Sequence, residues 1–596
     1  MNLCSAYQRI LPRLRVLLIL VAAMLMGGAS VLAQWQTQSI PLKAGWNAVY
    51  LHVDPSHATI EDLVAGGQIE EVWLWQPAQS PDRFISDPQS PVSGQDWASW
   101  HLANFPSDSL TTLIGNAAYL VRSSATITWD VKGKPVAPRY DWTSRGVNFI
   151  GFSTPSGAAP LFSNFLSPAQ RLAAGGEFYR YDDGDNDLTP SRFNALFNSV
   201  SVDRGKAYWI RHENEFNRYF GAFEVVLQNP GGIHFGEAGA QYSVRIRNKT
   251  SADLTVSLNR VASEAAPDGQ TAISGDVPLL LRGALNTSDL TYASASLSSQ
   301  IQVTLKPREE IGSEVELVLG VDRTSLTGSA SELYGSILRL TDSLGYTQVD
   351  LPVSASPSDA SGLWVGSAVV NQVRHYLKNY EKDLDGNAVQ QADGSYNVTS
   401  TRTDLGAVAR PFNLRLIVHK AADSTKLLQR VYYGLNDAKA EVLATQEGLL
   451  DATRLASARR ISSAHLPFSE GNAGWNLSGQ FAQGQAMTAT VALSHNDHGS
   501  NPFLHSFHPD HDNLDATFEN LQAQGAESYG VDRAITLTFA APGSDFDSLV
   551  SGGNRMTGQY NEAITFKGVG AETLQIDTAG GFSLVRISRI DSLTTQ

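Results

Sequence analysis

The sequence predicts a mainly β protein: tandem β-rich modules, an immunoglobulin-like β-sandwich and a C-terminal β-rich domain, barrel- or sandwich-like, with little helix. Short segments alternate apolar and polar residues at the two-residue period of strands. Turns rich in glycine, asparagine and serine separate these segments, and one pattern of segments occurs twice. The 596 residues suffice for several domains. A formal charge of −15, without a long basic run, argues against a nucleic-acid partner bound through its phosphates.

Residues 1–33 have the three parts of a secretory signal peptide. A basic stretch ends at Arg15, an apolar run covers residues 16–26, and small residues precede Gln34. The apolar run is too short to cross the bilayer core, which takes about 20 residues. We therefore expect cleavage after Ala33 and an extracellular, cell-surface or periplasmic location, with no transmembrane span in the mature chain.

The only cysteine, Cys4, lies inside this signal. The exported chain therefore has no disulfide scaffold, no thiol nucleophile and no thiolate ligand for zinc. A long exported chain without disulfides is typical of a bacterial envelope or extracellular protein.

Two segments of similar pattern follow the signal. Module 1 covers residues 34–138 and module 2 covers residues 139–228. The matched positions, module 1 first, are Gly45 and Gly146, Asn47 and Asn148, residues 72–75 and 178–181, and residues 118–121 and 207–210. Because the matches occur in the same order, they predict a tandem duplication of one β-rich unit.

The Gly-Trp-Asn start, the paired aromatics and the closing Tyr-Trp strand resemble a module of secreted and cell-surface bacterial proteins. The resemblance covers about residues 36–228 and implies an accessory role beside other domains. In module 2, Val147 takes the position of Trp46, which favours a packing role for that position. We predict that the module tryptophans belong to sheet cores, with carbohydrate stacking as the alternative. This prediction covers Trp46, Trp73, Trp75 and Trp209.

Residues 229–356 change to a regular alternation of apolar and polar residues. Segments of this kind, separated by turn residues, predict an immunoglobulin-like sandwich. They are residues 242–247, 254–258, 301–305, 315–319, 336–340 and 347–351. Such a domain is usually a spacer or an adhesive unit, and its fold specifies no activity.

Residues 357–596 form the predicted C-terminal β-rich domain. The phrases Gly362-Leu-Trp-Val-Gly and Asn501-Pro-Phe, the latter leading to His-Pro-Asp-His-Asp-Asn, are similar to those of large secreted bacterial proteins without an assigned activity. The resemblance covers about residues 361–590 and implies a family but no mechanism. We expect a helix over about residues 437–459, and strands near residues 413–419, 427–433, 487–493, 534–539 and 582–590.

Five histidines fall between residues 495 and 511, with aspartates among them. Imidazole and carboxylate are the ligands that a zinc-like divalent metal takes where thiolates are missing. The candidate ligands are His505, His508, His511, Asp510 and Asp512. The alternative, which we prefer, is a hydrogen-bonded loop, because Pro509 interrupts any helical face and no hydrolase motif accompanies the cluster.

A second candidate metal site is an acidic stretch of module 2. Closely spaced carboxylates suit calcium, and the stretch contains Asp182, Asp183, Asp185 and Asp187. A similar stretch begins at Asp383. Neither completes an EF-hand loop, since Phe193 and Gly394 occupy the positions that require glutamate, so an ordinary solvated turn is the alternative.

The sequence contains no assembled catalytic motif, and we assign no catalytic residue. We expect a secreted, non-catalytic structural, adhesive or ligand-binding protein of the bacterial envelope or extracellular space. Its partner would be a cell-surface protein or a polysaccharide. Two alternatives stay open: a secreted metal-dependent hydrolase that uses the histidine-rich segment 495–512, and a carbohydrate-binding accessory protein with an exposed coplanar pair of aromatics.

Overall fold

The protein is described by a computed structural model that covers residues 34–76, 85–92, 94, 96–212, 218–394, 396–463, 474–495, 529–551, 554–568 and 573–595. Strands make up 49% and helices 7%, which confirms the mainly β prediction. The chain divides into two compact units. Unit 1 contains the residues up to Pro357 together with Asp545–Val550, and unit 2 contains Ser358–Ser544 and Ser551–Gln596. None of the described helices has the length and hydropathy needed to span a membrane.

Module 1 consists of two facing sheets with the strand orders β1-β7-β3 and β2-β6-β4-β5. The strands are β1 (Gln36–Leu42), β2 (Gly45–Leu51), β3 (Val53–Asp54), β4 (Ile69–Trp75), β5 (Trp97–His101), β6 (Ala117–Ser123) and β7 (Ile127–Pro135), and helix α1 (Ile60–Leu63) precedes β4. Apolar side chains of both sheets, among them Leu51, Tyr119 and Trp129, form a buried core between them. The alternation seen in the sequence thus places one face of each strand in this core.

Module 2 has one four-stranded sheet in the order β10-β9-β11-β8. Its elements are β8 (Val147–Ile150), α2 (Phe162–Phe165), α3 (Gln170–Gly175), β9 (Gly176–Arg180), β10 (Ser191–Arg192) and β11 (Tyr208–His212). Counted along the chain, the first strand of this sheet (β8) pairs with the last (β11). The last strand also pairs with the second (β9), and the third (β10) pairs with the second at the edge. The sheet β2-β6-β4-β5 has the same order. Module 1 residues such as Trp75 and module 2 residues such as Trp209 share one aromatic core.

Residues 222–356 form a β-sandwich, which agrees with the predicted fold. The strands are β12 (Phe223–Leu227), β13 (Ile233–His234), β14 (Gln241–Asn248), β15 (Leu254–Ala262), β16 (Ile273–Gly275), β17 (Leu279–Asn286), β18 (Thr291–Ser296), β19 (Ile301–Leu305), β20 (Glu314–Val321), β21 (Leu333–Asp342) and β22 (Gln348–Ala355). They form the sheets β12-β14-β20-β17-β18 and β13-β22-β21-β15-β19, with β16 paired to β21. Leucines and valines of both sheets fill the space between them.

Unit 1 also contains a helix from late in the sequence, α4 (Phe546–Ser551). Phe546 and Val550 are buried against Leu280 and Val318 of the sandwich. The side chain of Gln241 donates a hydrogen bond of 3.1 Å to the carboxylate of Asp547 on the helix. The sandwich is therefore completed by Asp545–Val550, which are separated from it in the sequence by Ser358–Ser544 of unit 2.

Unit 2 contains a long antiparallel sheet in the order β30-β26-β25-β23-β35-β34-β33-β32-β31, with β24 paired to β23. Only Leu477 separates β30 from β31 in the sequence, so the sheet curves until its two ends nearly meet. Its concave side contains a core with Trp364 and Phe582. The elements of unit 2 are β23 (Gly362–Tyr380), β24 (Val398–Arg402), β25 (Gly406–Lys420), β26 (Thr425–Leu427), β27 (Arg430–Leu435), β28 (Glu441–Ala444), β29 (Arg459–Ser462), β30 (Trp475–Asn476), β31 (Ser478–Gly479), β32 (Ala486–Leu493), β33 (Gly530–Phe539), β34 (Arg555–Lys567), β35 (Thr573–Ser588) and β36 (Leu593–Thr594).

Glycines allow this curvature. A Cβ atom at Gly366 would lie 1.8 Å from the carbonyl oxygen of Ser583, and one at Gly580 would lie 1.7 Å from that of Val369. Neighbouring backbones therefore approach each other here more closely than any side chain permits.

A second, four-stranded sheet of unit 2, β29-β27-β28-β36, packs on the convex side of the long sheet. It replaces the helix predicted over residues 437–459, and that prediction is wrong. The side chain and backbone of Asn436 bond to the backbone of Ala440, which makes a turn and pairs β27 with β28. Only short 3-10 helices, Glu447–Leu449 and Ala452–Ser457, follow β28.

Candidate functional site

A cavity of about 730 Å³ lies between module 1 and module 2, inside unit 1. We call it the module cleft. One wall comes from β1 together with His52 and Val53, which follow β2, and the other from residues 155–159, 201, 203 and 204. Its volume is in the range of sites for small ligands. The polar residues that line it are Gln36, Thr37, Gln38, Ser39, His52, Ser156, Ser201, Asp203 and Arg204.

Gln38 fixes the module 1 wall by connecting strands of two different sheets. Its Oε1 accepts a hydrogen bond of 2.7 Å from the backbone N–H of His52, and its Nε2 donates one of 2.8 Å to the carbonyl of Tyr50. Both groups of the amide are thus used by the backbone. Through these two bonds, Gln38 determines where the side chain of His52 lies in the cleft.

His52 is 3% exposed and lines the cleft. Its Nδ1 is 3.3 Å from the hydroxyl of Ser153, whereas its Nε2 is buried without a hydrogen-bond partner among the described residues. Burial, reinforced by the positive charge of Arg204, holds the pKa of His52 well below its ordinary value, so the ring is neutral at neutral pH. An unpaired buried polar atom costs about 1–3 kcal/mol, which makes this nitrogen the most distinctive group of the cleft.

Arg204 connects the module 2 wall to the sandwich. It donates a hydrogen bond of 2.8 Å to the carbonyl of Thr154, and its guanidinium is 3.5 Å from the carboxylate of Asp350 on β22. Asp350 is buried and also binds Arg339. Arg204 is therefore ion-paired inside the protein, with a carboxylate that it shares with Arg339.

Asp203 lies at the exposed rim of the cleft. Burial of its carboxyl raises the pKa of Asp203, against the opposite effect of the Lys206 ammonium. Lys206 itself forms an ion pair with Asp183, one of the candidate calcium ligands. The rim therefore carries both signs of charge.

The candidate calcium ligands Asp182 and Asp185 also have partners within the protein. Asp185 accepts hydrogen bonds from the backbone N–H groups of Asp187 and Thr189, and its carbonyl pairs with the N–H of Trp46 in module 1. Asp182 lies 3.8 Å from Arg180. In the part of the chain that the structure describes, no three His, Asp or Glu side chains are grouped to hold a metal. The acidic stretch forms a turn that contacts module 1, and calcium binding stays a prediction.

The histidine-rich candidates lie outside the described residues. They are His505, His508, His511, Asp510 and Asp512. The segment that contains them connects β32 to β33, which pair with each other up to Leu493 and Val531. A zinc-like site in this segment stays a prediction.

The module tryptophans are buried, which confirms the prediction that they belong to sheet cores. Trp209 stacks on Phe149 with ring centroids 4.4 Å apart and meets Trp75 edge to face. Trp46 and Trp73 are buried in the modules as well. Among the large apolar side chains that are exposed in the described parts of the modules, Phe105 is the one aromatic. The exposed coplanar pair required for carbohydrate stacking is therefore not found in these parts.

His52 and Arg204 were not predicted from the sequence. A signal existed, because His52 and Ser153 follow Gly45 and Gly146 by the same number of residues, each shortly after a strand of its module. Polar residues at matched positions next to apolar strands indicate a polar contact between the two modules. The sequence does not show how the modules pack against each other.

No protein-family model matches the chain, and no curated protein matches it. Among solved structures, the chain is similar to a Bacteroides ovatus protein of unknown function, with 8% identity over 60% of this chain and 90% of that chain and a TM-score of 0.14. A Salmonella alpha-2-macroglobulin mutant is 9% identical over 91% of this chain and 50% of that chain, with a TM-score of 0.13. At these TM-scores neither similarity supports an argument about fold or function.

Proposed function

We propose that the chain is an exported, non-catalytic ligand-binding protein of the bacterial envelope or extracellular space. Its module cleft binds a small, neutral, hydroxyl-rich ligand such as the sugar units of a polysaccharide. The observation that carries this proposal is that His52 lines a cavity of about 730 Å³ while its buried Nε2 has no hydrogen-bond partner among the described residues.

A hydroxyl group fits this nitrogen whichever tautomer the ring adopts. If Ser153 donates to Nδ1, Nε2 carries the proton and needs an acceptor, and in the other tautomer Nε2 needs a donor. A hydroxyl supplies either role. Ligands with several hydroxyls also match the serine and glutamine side chains around the cleft.

Charge favours a neutral ligand over an ion. The charged side chains of the lining are Asp203 and Arg204, which have opposite signs, and Arg204 is also ion-paired with Asp350. None of the described lining residues carries a phenyl, phenol or indole ring, so hydrogen bonds rather than stacking provide the affinity.

The surroundings of His52 support binding without catalysis. Ser153, the hydroxyl within reach of Nδ1, does not line the cleft, so it is not placed to act on a ligand bound there. The Nδ1 of His52 bonds to this serine. In a catalytic Ser-His-Asp triad, by contrast, a carboxylate bonds to Nδ1 and orients the histidine.

We infer that the two modules are copies of one unit and that the cleft arises from their pairing. Their four-stranded sheets have the same strand order. Asn47 and Asn148 form matching hydrogen bonds to preceding backbone, including the carbonyls of Gly45 and Gly146. In this arrangement, neither copy alone contains the complete site.

The proposal is tested by titrating the exported chain with mono- and oligosaccharides in a calorimeter, beside a variant with a filled cleft. Ala158 is an exposed lining residue, so Ala158→Trp is expected to fill the cleft and to weaken binding by about tenfold or more. The control is Asn198→Trp, an exposed position of the same module outside the lining. Equal binding by both variants would contradict the proposal.

A double variant separates binding from stability. His52→Leu with Ser153→Ala removes both partners of the buried pair and the unpaired nitrogen, so the thermal unfolding temperature should stay the same or rise. Sugar binding should be lost. Retained binding would show that the imidazole is not the recognition group.

A further inference from the structure

A second cavity, of about 700 Å³, lies in unit 2 between the convex side of the long sheet and the sheet β29-β27-β28-β36. We call it the outer pocket. It adjoins a small core made by Leu363 and Ile417 of the long sheet with Val431 and Leu443 of the second sheet. It is separate from the module cleft and does not depend on the function proposed for that cleft.

The walls of the outer pocket are largely aliphatic. Leu363, Val431, Leu443, Ile461, Ile587 and Ile590 all line it. The apolar surface continues out of the pocket along β35, where Ile587 is 53% exposed and Val585 is 45% exposed. An elongated apolar group therefore has both a cavity and an adjoining strip to cover.

The charged residues of the lining are two arginines and one glutamate. Arg459 and Arg589 are exposed, as expected for the rim of a pocket. Glu441 accepts a hydrogen bond from the hydroxyl of Tyr433, which raises the pKa of that tyrosine. The two arginines and the glutamate give the lining a net charge of +1, in a protein whose formal charge is −15.

We propose that the outer pocket binds a single-chain amphiphile with a carboxylate head, that is, a free fatty acid. The alkyl chain occupies the aliphatic walls and the strip formed by Val585 and Ile587. The carboxylate lies at the rim, where Arg459 and Arg589 attract it. The volume is within the range of small-ligand sites, and the combination of an apolar cavity with a few polar groups is typical of them.

The first test is a calorimetric series of octanoate, decanoate and dodecanoate with the full exported chain, each below the concentration at which it forms micelles. Each added methylene should raise the affinity about three- to fourfold. Dodecanol, which has the same chain without the charge, should bind about two- to fivefold more weakly than dodecanoate. Dodecyltrimethylammonium should bind more weakly still. An affinity independent of chain length, or equal for all three heads, would overturn the proposal.

Variants place the ligand in the pocket. Arg459→Gln with Arg589→Gln should reduce the affinity for dodecanoate to that for dodecanol, and leave dodecanol unchanged. Ile587→Trp should block the mouth and weaken both ligands, whereas Leu384→Trp, at a fully exposed apolar position of unit 2, should not. Because these positions are exposed, the variants should fold, which circular dichroism checks. Binding that none of the pocket variants changes would place the amphiphile elsewhere and refute this site.

Discussion

His101 organises the loop that follows β5. Its Nδ1 is 2.5 Å from a carboxylate oxygen of Asp108, and its Nε2 is 3.6 Å from that of Glu71. Asp108 also accepts a hydrogen bond of 2.9 Å from the backbone N–H of Phe105. Burial alone would raise the pKa of Asp108, but the hydrogen bonds from His101 and Phe105 outweigh it, so the pKa is below its ordinary value.

This lowered pKa gives Asp108 a defined effect on stability. Since the folded-state pKa lies below the unfolded one of about 3.9, the carboxylate stabilises the protein above that pH. The stabilisation is lost as the pH falls through the folded-state pKa. Asp108→Asn should therefore lower the free energy of unfolding at pH 7 by about 1–3 kcal/mol, with a smaller difference in acid. Urea unfolding at several pH values measures it, with Asp268→Asn as an exposed control; a pH-independent difference would contradict the assignment.

Glu562 is a buried carboxylate on the concave side of the long sheet. Arg533 lies 2.5 Å from one of its oxygens, and the hydroxyl of Tyr560 donates a hydrogen bond of 2.7 Å to the other. Removing the charge leaves the guanidinium buried without its carboxylate. We expect Glu562→Gln to reduce the free energy of unfolding by about 3–5 kcal/mol. Urea denaturation tests this, and the exposed Glu316→Gln should change little; similar losses in both variants would argue against a special role for Glu562.

At the scale of elements, one asparagine in each module fixes the turn that leads into its first matched strand. The Oδ1 of Asn47 accepts from the N–H of Lys43, and its Nδ2 donates to the carbonyls of Lys43 and Gly45. Asn148 forms the corresponding bonds with Thr143 and Gly146. Each turn therefore requires both a donor and an acceptor on one side chain.

The required donor distinguishes two substitutions of these asparagines. Aspartate cannot donate and directs a carboxylate at carbonyl oxygens, so Asn47→Asp should cost more stability than Asn47→Ser. We expect a loss of about 1–3 kcal/mol for the aspartate variant. Asn148→Asp and Asn148→Ser repeat the comparison in module 2 and serve as an internal control. Thermal unfolding measures both; equal effects of serine and aspartate would show that the amide donor is unimportant.

Helix α4 contributes to the stability of unit 1 through Phe546. This side chain is fully buried against Leu280 and Val318. Phe546→Ala should reduce the free energy of unfolding of unit 1 by about 3–5 kcal/mol, and Phe546→Leu should restore most of it. Hydrogen exchange at the amides of β17 and β20 reports the change. Unchanged protection in the alanine variant would mean that the helix is dispensable.

The two-residue sequence period predicts six strands of the sandwich. Two of the strands that it does not predict, β17 and β18, show why the period is insufficient for the others. All six predicted segments correspond to strands, and Ile301–Leu305 has the expected bounds. In β17 (Leu279–Asn286) a run of leucines is followed by exposed residues, so apolar and polar positions do not alternate. The neighbouring β18 (Thr291–Ser296) is largely polar. Strands like these are determined by pairing with neighbours rather than by their own pattern.

At the scale of the whole molecule, the module cleft depends on how module 1 and module 2 pack against each other. For that reason the sequence could not predict it. In the sequence, His52 and Ser153 follow Gly45 and Gly146 at the same spacing, but their contact depends on how the two modules pack. A Cβ atom at Gly151 would lie 2.4 Å from Cγ of Tyr50, another matched pair, so this packing also needs a glycine. The distance between a residue of module 1 and a residue of module 2 depends on how the modules pack, and the spacing of residues within either module does not show it.

The histidine-rich segment offers a test on the whole chain. Because we prefer a hydrogen-bonded loop, elemental analysis should find no stoichiometric transition metal, and a chelator should leave thermal unfolding unchanged. The comparison is a variant with His505, His508 and His511 changed to alanine. Stoichiometric metal that this variant lacks would contradict the expectation and support the alternative of a metal-dependent hydrolase.

The position of α4 in the sequence affects the order in which the chain folds. A chain made or exported from its N-terminus releases the sandwich strands long before Asp545–Val550. At about 5–20 residues per second, the apolar surface around Leu280 and Val318 waits many seconds for the side chains that cover it. During that interval the sandwich is an incomplete folding intermediate, which matures only after most of unit 2 has been synthesised. Chaperones that bind incompletely folded chains would therefore act on unit 1 until almost the entire polypeptide has emerged.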